Sequence, residues 1–514
     1  MIAAAASILA LPENGRATPY DYIPVGDPIE SELRILDLFG SDSLRGRFVL
    51  PRLGTRPLQP MEIEGAGPPP GAPSVPIAIS LTRLERALGR DRVPTFAPHP
   101  THRSTPRLLD SSGELQLVQF SAGVEGAARV DRSRAPLLSS GTGLHGRLAI
   151  GLDRLEAFSH YIVGRIENAR KFADPIVPNN DLIVLPEEAY LSYTTDLGRW
   201  GAQFGLSRWH WGPGEEGSLV LSKTSPAITG LAFRVRVNAL RADAIALSAT
   251  LKTAAGEQLA AHRLEWQPSD GLRIGVTEAA RYQAPGWRPL YLMGAIPYVL
   301  VQRLEWRNEP DSLRAVRNNV LTACDVSWRV AEGTRCYGEL MIDDLHAKSG
   351  KLPNKLGYQV GWEGAGAIGS SRLTWGGEFT RISRYVYTSF FGREHAVQGQ
   401  PLGFPVAPDA RRLRLRGAWD FDSDWQVHMR ATYTDKGENE LDEPFRRGDP
   451  RVNSLALEGV VETTREAELG LRWWPASGIT LVASGGYRWV ENLAHVRSAK
   501  ERAALGSLEV RLTR

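Results

Sequence analysis

Ala189-Tyr190-Leu191-Ser192-Tyr193, then Thr195-Asp196-Leu197-Gly198, then Trp200-Gly201-Ala202-Gln203-Phe204-Gly205-Leu206 decide how this chain folds. Residues alternate on either side of a tight turn, the period-two pattern of a β-hairpin. The chain runs on into Trp209-His210-Trp211-Gly212-Pro213-Gly214 and Ser218-Leu219-Val220-Leu221-Ser222. Three large rings and two glycines beside a proline make a rigid, amphipathic knot at a strand end. What lies on the two faces of such strands separates a soluble enzyme from a membrane barrel.

Further along the chain the faces differ sharply. Leu231, Phe233, Val235 and Val237 alternate with Ala232, Arg234, Arg236 and Asn238. Leu413, Leu415, Gly417, Trp419 and Phe421 alternate with Arg412, Arg414, Arg416, Ala418, Asp420 and Asp422, and the Trp425–Thr434 stretch repeats the pattern with His428 and Arg430 on the polar side. A soluble sandwich also alternates. The connections discriminate. Asp422-Ser423-Asp424 and Pro475–Gly478 are tight, whereas 435–453 and 491–503 are long and polar, leaving Leu505 to Thr513 as a final strand. Tight turns at one end and long loops at the other are the mark of an outer-membrane barrel. Trp419, Trp425, Tyr433, Trp473, Tyr487 and Trp489 fall in the outward register near strand ends, where interfacial belts belong. From about Glu114 onward the pattern reads as strands throughout. About 400 residues at roughly ten per membrane strand, plus connections, predict roughly 16–18 strands.

Bulk properties agree. Of 514 residues, 61 are basic and 58 acidic, a formal net charge of +3 with no basic run, so nucleic-acid binding is unsupported. No apolar run reaches the ~20 residues of a transmembrane helix. Residues 1–12 read as the apolar remnant of a signal peptide, with Ile2–Leu11 as its core. Residues 13–110 read as a small, mainly helical unit. Asp27-Pro28 starts a helix over Ile29–Phe39 that ends at Gly40, a second helical stretch lies near Leu81–Leu88, and 65–76 is a Gly/Pro-rich linker. Residues 111–514 make the barrel. Cys324 and Cys336 flank a turn at Glu332-Gly333 without facing one another, which leaves a disulfide and two separate thiols both open.

Several segments carry a resemblance. The Trp209–Gly214 and Ser218–Ser222 pair resembles the hallmark of the capsule-assembly Wzi-like outer-membrane family. Arg303-Leu304-Glu305-Trp306-Arg307, Asn318-Asn319 and Tyr337-Gly338-Glu339-Leu340-Met341-Ile342-Asp343-Asp344 resemble its middle region, and Gly399–Gly403 with Ala407-Pro408-Asp409 its Gly-rich segment. Pro24–Pro28 and Arg56-Pro57-Leu58 resemble its N-terminal unit. Asn318 stands where the family has Asp, and Ala407 where it has Gly. The resemblance implies an eighteen-stranded barrel with a periplasmic helical domain that holds surface polysaccharide or helps it reach the surface.

The chemistry-bearing residues each have two readings. Trp209, His210 and Trp211 offer flat faces and a hydrogen bond to a sugar, or they are belt residues closing a strand. Glu339 and Asp343 share a strand face, whereas Asp343 and Asp344 point opposite ways. The first two are either polysaccharide-binding carboxylates or members of a polar lumen network. Glu278 falls in the apolar register, so either a bulge turns it inward or it lies beyond the hydrocarbon band; a bulge placing it near Arg281 in the lumen is the expectation. The inward Arg234, Arg236, Arg412, Arg414, Arg416 and Arg430 either attract an acidic polysaccharide or cross-link the lumen with acids such as Asp420 and Asp422. No phosphate loop, catalytic triad, metal-ligand spacing or cofactor fingerprint stands out.

The sequence thus predicts an outer-membrane β-barrel of a Gram-negative bacterium that binds, anchors or helps export capsule or exopolysaccharide, without enzymatic chemistry. Its expected partners are surface polysaccharide, outer-membrane lipid and a periplasmic polysaccharide-export protein. The rival functions are a general porin and an outer-membrane enzyme acting on polysaccharide or lipid.

Overall fold

A computed structural model of the chain describes residues 29–43, 48–49, 55–56, 64–65, 74–88, 118–131, 137–152, 155–165, 182–195, 199–252, 255–292, 294, 296–308, 318–345, 352–406, 408–446, 448–449, 455–476 and 479–512. The signal-peptide segment Ile2–Leu11, the Asp27-Pro28 helix start, residues 66–73 of the linker and Ala407 lie outside the described residues.

The chain is mainly β. One large antiparallel sheet runs hairpin by hairpin from Val118–Asp131 to Lys500–Leu512, and its strand order closes on itself as a barrel. The hairpin read first in the sequence pairs Leu182–Thr194 with Trp200–Ser207, with Thr194 opposite Gly201. Alternation sets the faces. Leu231 and Phe233 look outward while Arg234 and Ala232 are buried inward, and the Leu415/Trp419 face is likewise the open one. Connections at one end are tight, as at Ser269 to Leu272, Ala331 to Thr334 and Asp420 to Trp425. The opposite end carries the long segments 208–227, 284–318, 383–409 and 437–461. A belt of open rings (Trp200, Trp266, Trp328, Trp375 and Trp419) circles the tight-turn end, and Trp425 stacks on its cross-strand partner Trp473 with centroids 4.9 Å apart. No described helix is long and apolar enough to cross a membrane.

Two helices occupy the tight-turn mouth: α1 (Ile29–Ser43) and α2 (Val75–Leu88). They pack on one another, burying Leu33, Leu36, Ile77 and Leu84. Helix α1 runs through Gly40, past its expected end. Its polar face is buried too, because it meets charged residues of the barrel rather than water. Asp37 is bound by Arg273 and Arg335, and Leu38 O accepts from Gly333 N at 3.0 Å in a tight turn. Arg83 of α2 donates to Ser423 O at 3.1 Å and lies 4.0 Å from the Trp474 ring.

Three expectations are corrected, and the choice left open for the two cysteines is answered. The stretch after Glu114 is not strands throughout: α3 (Pro289–Leu292) and α4 (Tyr298–Asn308) interrupt it, the second containing the Arg303–Arg307 motif. Glu278 is not turned inward by a bulge. Its pairing with His262 and Thr322 is in unbroken register, and α4 covers it from outside, Tyr298 N donating to its carboxylate at 2.6 Å. The last strand begins at Lys500, not Leu505, because the connection after Glu491 is only 492–499, with a short 3₁₀ turn at Leu493–His495. Cys324 and Cys336 are free and exposed, facing Leu340 and Trp328 on the neighbouring strands.

Candidate functional site

The Trp209–Gly214 knot does not end a strand at the membrane interface, as the belt reading expects. The chain between Trp200–Ser207 and Ile228–Val237 turns into the lumen, where Trp209, His210 and Trp211 are 4 %, 0 % and 0 % exposed. His210 and Trp211 form a short ladder with Thr55–Arg56, and Trp211 N donates to Leu221 O at 3.0 Å. His210 Nδ1 accepts the Lys223 N–H at 3.3 Å, so the ring carries its proton on Nε2, which donates to Gly214 O at 3.1 Å. The two tryptophans meet edge to face at 6.2 Å.

Backbone folded into a lumen needs partners for its amides and carbonyls. Inward side chains of the strands supply them. Leu219 N donates to Glu339 at 3.1 and 3.2 Å, and Glu339 also accepts from Ser218 Oγ at 3.1 Å. Glu215 N donates to Glu378 at 2.8 Å, and Gln359 Nε2 donates to Gly217 O at 3.3 Å. Gly212 is required where Ser218 and Glu339 press in: an added Cβ would lie 2.6 Å from Ser218 Oγ. From below, Arg34 of α1 reaches Pro213 O at 3.1 Å and Glu363 at 3.0 Å.

The loop 383–409 closes over this segment from the long-loop end. Tyr387 N donates to Asp343 at 2.8 Å, and the Tyr387 hydroxyl donates to Leu219 O at 2.6 Å. His395 Nε2 donates to Val220 O at 2.7 Å, and Ser222 N to Leu402 O at 2.8 Å. Tyr385 and Tyr387 both hold left-handed backbone, at φ 68° and 67°, which these anchors impose. Burial pushes the His395 ring down to about 4, with Arg281 acting in the same direction against the Val220 carbonyl, so the ring is neutral at ordinary pH. Burial and the facing carboxylates push the Tyr387 phenol up, which keeps it a donor.

The inward arginines are each paired with acids, in several separate groups. Arg412 and Arg414 reach Glu216 at 2.9 and 3.4 Å. Arg416 reaches Glu363 at 2.6 Å and Glu215 at 3.7 Å. Arg234 and Arg236 share Asp243, each at 3.1 Å, and Arg430 faces Glu468 at 3.9 Å. Burial alone would raise the Glu215 carboxyl, but Arg416, Lys223 and Arg414 hold it below its usual range. Asp420 is fully buried against Arg372 at 2.6 Å and Arg83 at 2.7 Å. Asp422 is not part of this network; it accepts the Asp424 and Trp425 amides in the tight turn.

The family model for capsule assembly protein Wzi matches residues 112–505. The chain belongs to the Wzi capsule assembly family. Among solved structures it is similar to Wzi of Escherichia coli, described as a carbohydrate-binding β-barrel involved in group 1 capsule assembly. Identity is 15 %, coverage 96 % of this chain and 99 % of that one, and the TM-score 0.62. It is also similar to OprD of Pseudomonas aeruginosa (9 % identity, 80 % and 97 % coverage, TM-score 0.43) and to OccAB4 of Acinetobacter baumannii (9 %, 77 % and 97 %, 0.42). No curated protein sequence matches the chain. Membership of the Wzi family places the chain in the outer membrane of a Gram-negative bacterium.

Within this Wzi-family barrel, the five residues expected to bind polysaccharide are brought together and enclosed. Glu339 and Asp343 do share the inward face, but each holds the backbone of a different loop, Leu219 and Tyr387 respectively. Neither loop anchor is free to act with the other on a glycosidic bond, which needs two carboxylates across one sugar. Among the described residues no cluster could hold a metal ion. Sequence reading missed Glu215, Glu216, Glu363, Glu378 and Arg372. Two acids directly after Gly212-Pro213-Gly214, in a chain with surplus inward arginines, were the available signal for the first pair.

Proposed function

We propose that this Wzi-family protein is an eighteen-stranded transmembrane barrel that anchors surface polysaccharide at its long-loop mouth, by binding alone, with its own lumen shut. The observation carrying this is that the family hallmark, Trp209–Ser222, lies buried across the lumen on Glu339, Gln359 and Glu378 instead of lining a passage. In this reading α1 and α2, within residues 13–110, close the periplasmic mouth and offer a face to a polysaccharide-export protein there. Trp209, His210 and Trp211 then shape the seal, with Glu339 and Asp343 holding the loops. Sugar contact falls to exposed rings of the loops. The Ser389–Gly392 turn presents Phe390 and Phe391, open and edge to face at 5.3 Å, as apolar faces for the C–H side of a sugar ring. The E. coli relative, described as carbohydrate-binding, supports the same reading.

A deletion strain scored for surface-retained against released polysaccharide tests it. Loss from the retained fraction with gain in the released one is expected, and normal amounts in both refute it. Planar-bilayer recording is expected to give no porin-sized steps; steady open-channel conductance would favour a solute channel instead. In the purified protein, Phe390→Ala with Phe391→Ala is expected to weaken polysaccharide binding while leaving the fold intact.

A further inference from the structure

On the outward face of the sector between Ala242–Lys252 and Asn319–Ala331, cross-strand rows change character abruptly. The rows Trp266–Ile274–Val326 and Leu264–Val276–Cys324 are open, and all but Cys324 are apolar. The next rows toward the long-loop end are Ala246–His262–Glu278–Thr322 and Ser248–Ala260–Ala280–Val320. A carboxylate beside an imidazole, and a run of small residues, would face lipid poorly there. They are instead covered. Residues 284–292 and 296–308, with Gly294 between them, fold back down the outside of the barrel. Tyr291 stacks on Tyr282 at 4.3 Å, Tyr298 lies 4.4 Å from the His262 ring, and Val301 is fully buried beneath the helix. Gly294 passes so close that an added Cβ would meet the Ala246 methyl at 2.8 Å, which explains a small residue at position 246.

The other side of α4 is apolar and open. Val299, Leu300 and Leu304 are 42 %, 48 % and 40 % exposed, with Arg303 exposed beside them. Height decides what they meet. From the Trp266 row to the Ala260 row is six residues, roughly 20 Å of strand and ~15 Å along the barrel axis at a ~40° tilt, within an apolar band ~25 Å tall. The helix therefore lies in the half of the band toward the long loops, continuous with the open Leu264 and Val276 side chains.

We propose that residues 284–308 form an external clasp immersed in the outer leaflet, with Val299, Leu300 and Leu304 against acyl chains and the strands of this sector touching helix instead of lipid. The proposal rests on the membrane-spanning reading given above. The lipid, not a second copy of the chain, is the occupant because the open face continues the lipid-facing rows without a break.

The test uses full-length protein in phospholipid vesicles, in a Cys324→Ser/Cys336→Ser background. Single spin labels are introduced by L300C, L304C, V276C and F390C. Oxygen and a water-soluble nickel chelate report lipid and water exposure respectively. Labels at 300 and 304 should match the strand label at 276, favouring oxygen over nickel by on the order of tenfold relative to 390. If 300 and 304 behave like 390 while 276 stays lipid-exposed, the clasp proposal is overturned and the barrel reading survives. If 276 is also nickel-accessible, the membrane-spanning reading itself has failed. Dipolar broadening between labels at 300 on different molecules would show that a second copy covers the face, and would also overturn the proposal.

Discussion

Arg372 offers the sharpest test of how the tight-turn mouth is closed. It is fully buried in a neutral ring of four charges: Arg372 and Arg83 against Glu32 and Asp420. Arg372 reaches Glu32 at 2.8 Å, Asp420 at 2.6 Å and Ser80 at 2.7 Å, joining α1 and α2 to the strand wall. Arg372→Met leaves two carboxylates sharing Arg83, a buried charge without its counterpart, at about 3–5 kcal/mol. Because Glu32 and Ser80 belong to the helices, the loss falls on their docking. Opening of α1 should become roughly 10²–10⁴-fold more frequent. Hydrogen exchange of the peptide spanning 29–43 reads this directly, with the strand amides as internal control. In a Glu32→Gln background the same Arg372 change should do less, with a coupling of about 1–3 kcal/mol. Acid provides a second check. Burial alone would raise the Glu32 carboxyl, but Arg372 and Arg83 bring it down from 4.5 to about 2. Its stabilisation is therefore complete above pH 4.5 and is lost as pH falls from there through 2. Protection of α1 should fade across that window, and fade less in the Arg372 variant. Equal protection in both proteins at neutral pH, or strictly additive effects of the two substitutions, would refute the ring as the anchor.

Three further outcomes are expected. Glu339→Ala orphans the Leu219 amide and should destabilise by about 1–3 kcal/mol, whereas Glu339→Gln keeps an acceptor and should recover most of it; urea unfolding in lipid vesicles compares them, and equal losses would mean that the charge, not the acceptor, matters. Gly212→Ala, with φ +150° and Ser218 and Glu339 pressing on the new methyl, should lower the temperature of heat-induced gel-shift unfolding, and an unchanged midpoint would sink the close-packing argument. His395 is held neutral with its value lowered from 6.5 to about 4, so the unfolded chain takes up its proton first. Stability should therefore fall by about 3 kcal/mol as pH drops from 6.5 to 4, and His395→Gln should flatten that slope; parallel curves would count against it.

How much of this was legible depends on the range of the interactions. Period-two runs such as Leu231–Val237 and Leu413–Phe421 are local, so the sheet and its outward face could be read directly. The inward register of Arg412, Arg414 and Arg416 could be read in the same way, while cross-linking and attraction of a polysaccharide both stayed open. Their partners could not be read, because Glu215 and Glu216 lie some two hundred residues away in a segment whose local pattern suggests a strand end. Arg372 and Asp420 become a pair only once their strands are known to be neighbours in that register. Glu278 misled for a related reason. Its register was right, and the cover that makes an outward carboxylate tolerable is a helix inside a stretch otherwise rich in strand signals.

The burial of the hallmark follows from barrel geometry. Strand side chains cannot fill a lumen of 16–18 strands, which as a bare cylinder is an aqueous channel. Closing it requires backbone sent inward, and each inward amide or carbonyl then needs a partner the strand wall must supply. Here Glu339 takes the Leu219 amide, Glu378 that of Glu215 and Asp343 that of Tyr387, while Gln359 serves the Gly217 carbonyl, Tyr387 that of Leu219 and His395 that of Val220. The glycines mark where that wall approaches too closely for any side chain. Each of these residues has a backbone partner in the inward segments. On the reading proposed above, the buried motif serves the seal and the rings on the mouth loops serve the polysaccharide. Swapping the 383–409 tip between two family members should therefore transfer polysaccharide preference, whereas swapping Trp209–Ser222 should alter stability and leave preference unmoved.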